Sequence, residues 1–227
     1  MAESAPALAK SISTKRRIMI VDDQPIVRQG LARLMAHEPD LELCGGAEDA
    51  KEALEAVQKL RPDLVVVDLS LKNSHGLELI KQIKAFDKSI KVLVWSMFDE
   101  LLFAERSLRA GAGGYIDKQE PVEKVIEAIR HVLCGEVCVS ARMTNRLLCR
   151  MGGGEVPDQD PIHSLSDREL EVFELIGRGM TIQQIAARSQ LSVKTVEGYR
   201  ENVKKKLDLK NSAELARRAV QWMLERR

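Results

Sequence analysis

Arg17-Ile-Met-Ile-Val-Asp-Asp23 and Asp63-Leu-Val-Val-Val-Asp68 are the two stretches on which the fold turns. Each is a four-residue apolar run, too short for a helix and closed abruptly by carboxylates. Working outward, further strand-like runs fall at Leu41 to Cys44, Lys91 to Trp95 and Gly114 to Ile116. Between them the apolar period becomes helical, as at Ile26, Val27, Leu31 and Leu34, at Ala50, Ala53, Leu54 and Val57, at Leu77, Ile80 and Ile83, and at Val122, Val125, Ile126 and Ile129. Five strands alternating with five helices predict a doubly wound parallel sheet with helices on both faces. In such a sheet, chemistry gathers beyond the carboxyl ends of the strands where the strand order reverses.

That unit uses little more than half of a chain of 227 residues, and charge and breakers divide the remainder. The whole chain carries only +1, but from Pro161 onward there are 13 Lys and Arg against 9 Asp and Glu, a surplus of +4, leaving 22 against 25 before it. Between these halves, Met151 to Pro161 holds Gly152-Gly-Gly154 and two prolines, which sustain neither helix nor strand. The predicted organisation is a flexible tail over 1–16, the α/β domain over 17–135, a connector helix and Gly/Pro-rich linker over 136–160, and a small all-α domain over 161–227. With 44% hydrophobic and 30% charged residues, the composition is globular. No apolar run approaches the roughly 20 residues of a membrane helix. The four scattered cysteines form no disulfide framework and the start of the chain lacks an apolar signal core, so a reducing, cytoplasmic setting is expected.

Asp22, Asp23 and Asp68 stand at strand ends that become neighbours if the first and third strands pair. Carboxylates gathered this way repel one another and invite a hard dication such as Mg2+, which takes oxygen ligands and can clamp a phosphoryl group. The alternative reading of Asp22-Asp23 is a helix N-cap. Ser96 closes the fourth strand and Lys118 follows the fifth, putting a hydroxyl and an ammonium at the same edge, both donors for a phosphoryl oxygen.

Over residues 15 to 135 these features resemble the receiver domain of two-component response regulators, a flavodoxin-like fold. The resemblance implies that Asp68 is the phosphoacceptor, that Asp22 and Asp23 together with Asp68 hold Mg2+, that Ser96 is the switch hydroxyl and Lys118 the invariant lysine, and that Tyr115 is the aromatic that turns inward when the switch closes. A carboxylate nucleophile forms a covalent aspartyl-phosphate. The new charge would draw Ser96 and Lys118 toward it, leaving space for Tyr115 and remodelling the surface over Asp99 to Arg130. Met97 departs from the usual small residue, which would restrict access to Asp68, and Gln119 replaces a common proline. Ser70 and Phe98 flank the path of the hydrolytic water and would tune the lifetime of the phosphoryl group.

In the second domain, Ser166-Asp-Arg-Glu169 reads as a capping box opening a helix with Leu170, Val172, Phe173, Leu175 and Ile176. Thr181-Ile-Gln-Gln184 opens a short helix, Gln190 to Ser192 makes a turn, and a longer helix runs from about Val193 to Leu207, followed by another from Asn211 and Ser212 to Arg226. Short helix, turn and second helix make a helix-turn-helix. The stretch from Leu165 to Trp222 resembles LuxR-type domains, with Leu165-Ser-Asp-Arg-Glu-Leu-Glu-Val, Ile185-Ala and Lys194-Thr-Val in place. Receiver and LuxR-type domain together are the combination of the NarL/FixJ family.

The combined resemblance implies a phosphorylation-switched transcription regulator whose partners are a histidine kinase and double-stranded promoter DNA, and which is not an enzyme beyond slow loss of its own phosphoryl group. Lys194, Thr195, Arg200, Lys204 and Lys205 are the expected DNA contacts, on phosphates or base edges. Glu197 and Glu201 interrupt this basic face. The last helix, with Leu215, Ala216, Ala219, Val220 and Met223, either packs within its domain or pairs two subunits into a homodimer. The connector helix, Arg142 to Met151, has Met143, Leu147, Leu148 and Met151 on one face, and packed back on either domain it would mask the recognition helix until phosphorylation. A regulator that acts without phosphorylation is the alternative function. A haloacid-dehalogenase-like phosphatase lacks its second aspartate, because Ser70 stands there. Cys134 and Cys138 have no complementary pair to complete a zinc site.

Overall fold

A computed structural model describes residues 15–71, 76–152, 161–189 and 191–225. In chain order the first domain runs Arg16–Val21 (β1), Pro25–Met35 (α1), Leu41–Ala47 (β2), Ala50–Leu60 (α2), Leu64–Val67 (β3), Gly76–Phe86 (α3), Lys91–Ser96 (β4), Glu100–Ala110 (α4), Gly114–Asp117 (β5) and Glu123–Leu133 (α5). A connector helix follows at Ala141–Met151 (α6), then a 3-10 turn at Pro161–Ser164 and the helices Asp167–Gly177 (α7), Ile182–Arg188 (α8), Val193–Lys206 (α9) and Ser212–Leu224 (α10). Residues 1–14 of the expected tail and the glycine-proline linker over 153–160 lie outside the described residues, while Arg16, expected in the tail, is the first residue of β1.

All five strands are parallel, in the order β2-β1-β3-β4-β5. Ile18, Ile20, Leu64, Val66, Leu93 and Trp95 face one way, against Leu31, Met35, Val125 and Ile129 of α1 and α5. Met19, Val21, Val65, Val67, Val92 and Val94 face the other, with Val57, Ile80, Ile83 and Phe103 of α2, α3 and α4. Burial on both faces explains why these strands read as continuous apolar runs instead of alternating ones. The order reverses between β1 and β3, where Val21 pairs with Val67, so Asp22 and Asp68 leave the sheet side by side. Ser96 pairs with Asp117, bringing Lys118 to the same edge.

The second domain forms from local signals. Ser166 with Glu169 and Thr181 with Gln184 close capping boxes, while Ser192 and Asn211 cap α9 and α10. Val172, Leu175, Ile185, Ala186 and Val196 make its core. Helices α7 and α10 approach closely at Gly177, where a Cβ would lie 2.9 Å from the Ala219 carbonyl oxygen. Ala219 and Trp222 are buried on this side, Trp222 edge-on to Phe173 at 5.6 Å.

The connector helix packs on α4 through buried Met143, the Arg150–Glu105 ion pair and a bond from Ser140 N–H to Glu100 Oε1 at 2.7 Å. Its expected apolar face is only partly used, since Leu148 and Met151 are 60% and 86% exposed. Nor does it cover α9, contrary to the expected masking.

Candidate phosphoacceptor site and nucleic-acid interface

Short turns leaving β1, β3, β4 and β5 carry the polar groups of the sheet edge. Asp22, Asp23 and Asp68 offer carboxylate oxygens within 4.8 Å of one another, and Asp22 and Asp68 are buried. Among the described residues this is the group arranged to hold a metal ion. Lys118 Nζ lies 2.6 Å from Asp22 Oδ2 and 2.7 Å from Asp68 Oδ2. Three carboxylates against one ammonium leave a local charge of −2, with hard oxygen donors, a set suited to a hard dication. Burial raises the Asp22 carboxyl above its ordinary value, against the pull of Lys118. Burial alone would lower Lys118, but the Asp68 and Asp22 carboxylates outweigh it and hold the ammonium above the usual lysine range. Neither Asp22 nor Asp23 takes the cap position of α1, which is Gln24; Asp22 Oδ1 accepts the Gln24 N–H at 2.8 Å within its own turn.

Asp68 is held from four directions. Ser96 Oγ donates to Oδ1 at 2.7 Å and Lys118 to Oδ2, as expected from the sequence. The Ser70 N–H donates to Oδ1 at 3.1 Å and the Ser70 hydroxyl to Oδ2 at 2.8 Å. Sequence reasoning placed Ser70 beside the water path and missed its grip on the carboxylate; a serine two residues after an aspartate, able to close such a turn, was the available signal.

Tyr115 is buried, its hydroxyl donating to the Phe98 carbonyl at 2.6 Å. Burial, with the nearby charges of Asp117 and Asp68, pushes its phenol well above the ordinary value and keeps it a donor. Tyr115 and Ser96 are thus both buried in this structure, Ser96 on Asp68 and Tyr115 on the Phe98 carbonyl. Met97 is more than half exposed and faces the second domain.

The second domain rests on this edge. Met97, Phe98 and Phe103 meet Trp222, Met223 and Arg178 around a cavity of about 180 Å³. Arg106 of α4, only 12% exposed, donates to Asp167 Oδ1 at 3.0 Å and to the Leu165 carbonyl at 2.6 Å, while Lys81 of α3 donates to Asp167 Oδ2 at 3.0 Å. Burial alone would raise Asp167, but these two cations hold it below the ordinary aspartate value. Arg188, the last residue of α8, donates to the Leu71 carbonyl at 3.0 Å. None of these contacts has a sequence signal.

Helix α9 is open along its outer side. Lys194, Thr195 and Lys205 are exposed, and Arg200 and Lys204 are half-buried. Glu201 draws Lys204 to 2.9 Å and Arg200 to 3.4 Å, and the Thr195 hydroxyl is engaged with Ser192 at 2.7 Å. Lys206 turns back to Glu169 at 2.6 Å and the Ser164 carbonyl at 3.1 Å. On α10, Val220 and Leu224 remain exposed.

Comparison with known proteins agrees with this architecture. A response regulator receiver domain model matches residues 18–130, and a model of bacterial regulatory proteins of the luxR family matches 163–219. The oxygen regulatory protein NreC of Staphylococcus epidermidis is 35% identical over 214 residues, covering 92% of this chain and 98% of that protein. NreC of Staphylococcus carnosus is 34% identical with the same coverage. RcsB from Salmonella enterica serovar Typhimurium, solved bound to promoter rprA with phosphomimetic BeF3-, superposes with a TM-score of 0.68 at 25% identity, over 90% of this chain and 98% of that one. A LuxR-family two-component response regulator from Aurantimonas sp. SI85-9A1 is 32% identical with a TM-score of 0.57, over 61% of this chain and 99% of its own.

Proposed function

Because the chain belongs to the NarL/FixJ-type response regulators, which join a receiver domain to a LuxR-type DNA-binding domain, we propose that Asp68 accepts a phosphoryl group from a histidine kinase and that this event controls promoter binding through α9. The observation that carries the reading is Asp68 itself, buried at the β1/β3 switch point with a hydroxyl and an ammonium already donating to its two oxygens. One Asp68 oxygen attacks phosphorus, the bond from phosphorus to the donor breaks, and the donor leaves with the electron pair. Mg2+ held by Asp22, Asp23 and Asp68 would neutralise charge on the transferring group. Lys118 and Ser96 follow the charge from the carboxylate onto the phosphoryl oxygens. Tyr115, a donor to the Phe98 carbonyl, links the loop after β4 to β5, so displacement of Ser96 is passed to the surface that meets Trp222 and Met223.

Lys194 and Lys205 supply phosphate contacts, with Thr195, Arg200 and Lys204 adding to them as Glu201 and Ser192 release their side chains. Two copies paired through Val220 and Leu224 of α10 would read a pseudo-palindromic site. The domains divide at 17–135, 136–160 and 161–227. The chain turns over no substrate beyond slow hydrolysis of its own aspartyl-phosphate. No described helix is long and apolar enough to cross a membrane, which accords with a cytoplasmic regulator.

The test combines purified protein, Mg2+ and acetyl phosphate. The expected result is a gain of one phosphoryl mass on the wild type but not on Asp68→Ala, with tighter binding to selected promoter fragments only for the former. Equal DNA binding by both proteins and no mass gain would refute the phosphorylation switch in favour of a regulator that works without it.

A further inference from the structure

Asp68 reaches phosphorus only with a free lone pair, and four donors compete for the two oxygens of its carboxylate, two on each. Two of them, Lys118 and Ser96, belong to side chains that can swing onto an incoming phosphoryl group. The Ser70 pair differs, because its amide moves only if the backbone from Asp68 to Leu71 moves. That backbone is anchored at one end by Asp68 N–H bonded to the Val21 carbonyl at 2.9 Å. At the other end, the Leu71 carbonyl is held by Arg188, which comes from the DNA-binding domain 117 residues away.

We propose that Arg188 is a positioning residue of the phosphorylation site: its bond to the Leu71 carbonyl fixes the loop in the conformation in which Ser70 covers Asp68, and so restrains phosphoryl transfer while the two domains are docked. The proposal rests on Asp68 being the phosphoacceptor. A charged donor on a half-buried carbonyl is among the stronger hydrogen bonds, and docking is secured independently by Arg106 and Lys81 on Asp167. The guanidinium also lies within electrostatic reach of Asp23, so docking opposes a dication at the acidic group as well. Saturating Mg2+ isolates the loop effect from that charge effect.

The experiment follows the initial rate of phosphoryl mass gain from acetyl phosphate at saturating Mg2+, using the full chain. Arg188→Ala is expected to be about fivefold to tenfold faster than wild type, which corresponds to the upper part of the net value of an ordinary hydrogen bond, as suits a part-buried contact. Arg188→Lys, which keeps a charged donor, should fall near wild type. Ser70→Ala, which removes the hydroxyl donor but keeps the amide on Asp68, should accelerate transfer by itself, and adding Arg188→Ala to it should accelerate transfer by a smaller factor than Arg188→Ala does in the wild type. Arg106→Ala, which loosens docking, should reproduce the acceleration, by a larger factor with Ser70 than with Ser70→Ala. An unchanged rate in Arg188→Ala, or single effects that multiply in the double variant, would overturn the role of Arg188. A wild type that gains no mass would instead overturn the assignment of Asp68, and the role of Arg188 with it.

Discussion

Replacing Arg106 by alanine isolates the strength of the contact between the domains. Arg106 is nearly buried and spends one nitrogen on Asp167 and another on the Leu165 carbonyl, at 3.0 and 2.6 Å. Hydrogen bonds to charged groups contribute about 1.5–3 kcal/mol each. Two corrections reduce their sum: Asp167 is 34% exposed and keeps Lys81 at 3.0 Å, and a solvated ion pair is worth at most about 1 kcal/mol. The net loss is therefore about 2 kcal/mol, equivalent to about a 30-fold shift from docked toward undocked. Trp222 is a suitable reporter, being 5% exposed and lining the cavity against Met97 and Phe98. In a Trp95→Phe background its emission should shift to longer wavelength at lower urea in Arg106→Ala than in the parent, before the domains unfold. The radius of gyration from small-angle scattering should rise in step. A double-mutant cycle with Asp167→Ala should return a coupling of about 1 kcal/mol or more. Unchanged emission and radius in Arg106→Ala, or strict additivity in the cycle, would refute the clasp.

Three further outcomes follow from the same contacts. Lys118→Ala removes the cation shared by buried Asp22 and Asp68 and should cost about 3–5 kcal/mol of stability to urea, most of it recovered on adding Mg2+; a loss that Mg2+ does not repair would argue against a metal at those acids. Lys194→Ala and Lys205→Ala should each reduce the slope of log affinity against log salt by about 1, whereas Lys206→Ala should leave it unchanged, since Lys206 is turned to Glu169. The pH response of docking follows from Asp167, whose folded pKa lies below the ordinary 3.8. A depressed carboxyl contributes fully above its unfolded pKa and is lost as pH falls through the folded value. Trp222 emission should accordingly be flat from about pH 8 to about pH 5 and change only below about pH 4; a transition near neutrality would mean that another group governs the contact.

How much of this could be read beforehand depended on where each signal lay. Runs buried on both faces, such as Leu64–Val67, announce themselves by composition alone, and the carboxylates that close them gave the site. β2 was expected to stop at Cys44 but runs to Ala47, through Gly45 and Gly46. Those glycines look like a turn, yet Gly45 serves packing: a Cβ there would lie 2.5 Å from Leu60 Cδ1. The pairing steps from Ile18–Leu43 to Met19–Gly45, so Cys44 is an extra residue in β2 opposite a regular β1, a tertiary effect without a local mark. The connector helix misled in the opposite direction. Its apolar face promised broad packing, but Met143 is buried and Leu147 partly so while Leu148 and Met151 stay exposed, and charge through Arg150 and Glu105 helps to fix the helix on α4. Asp167 was the least legible of all, because an acid in the first turn of a helix already has a local reason to be there, and nothing near it in the chain points to Arg106 or Lys81.

The docked arrangement also changes where regulation must act. Masking of α9 by the connector helix was the natural expectation, yet Lys194, Thr195 and Lys205 stand exposed while the domains are in contact. What docking occupies is the start of α7, the end of α8 and the Trp222–Met223 side of α10. A single exposed recognition helix binds one half-site, and DNA affinity rises steeply only when two copies are held together, since the second contact is then intramolecular. A phosphoryl group that loosens the Arg106 and Arg188 contacts would free α10 to reorient and pair without altering the DNA-reading face. Control would then lie in how many copies reach the promoter together, and if phosphorylation favours undocking, undocking must favour the phosphorylated state by the same free energy, as reciprocity between linked equilibria requires.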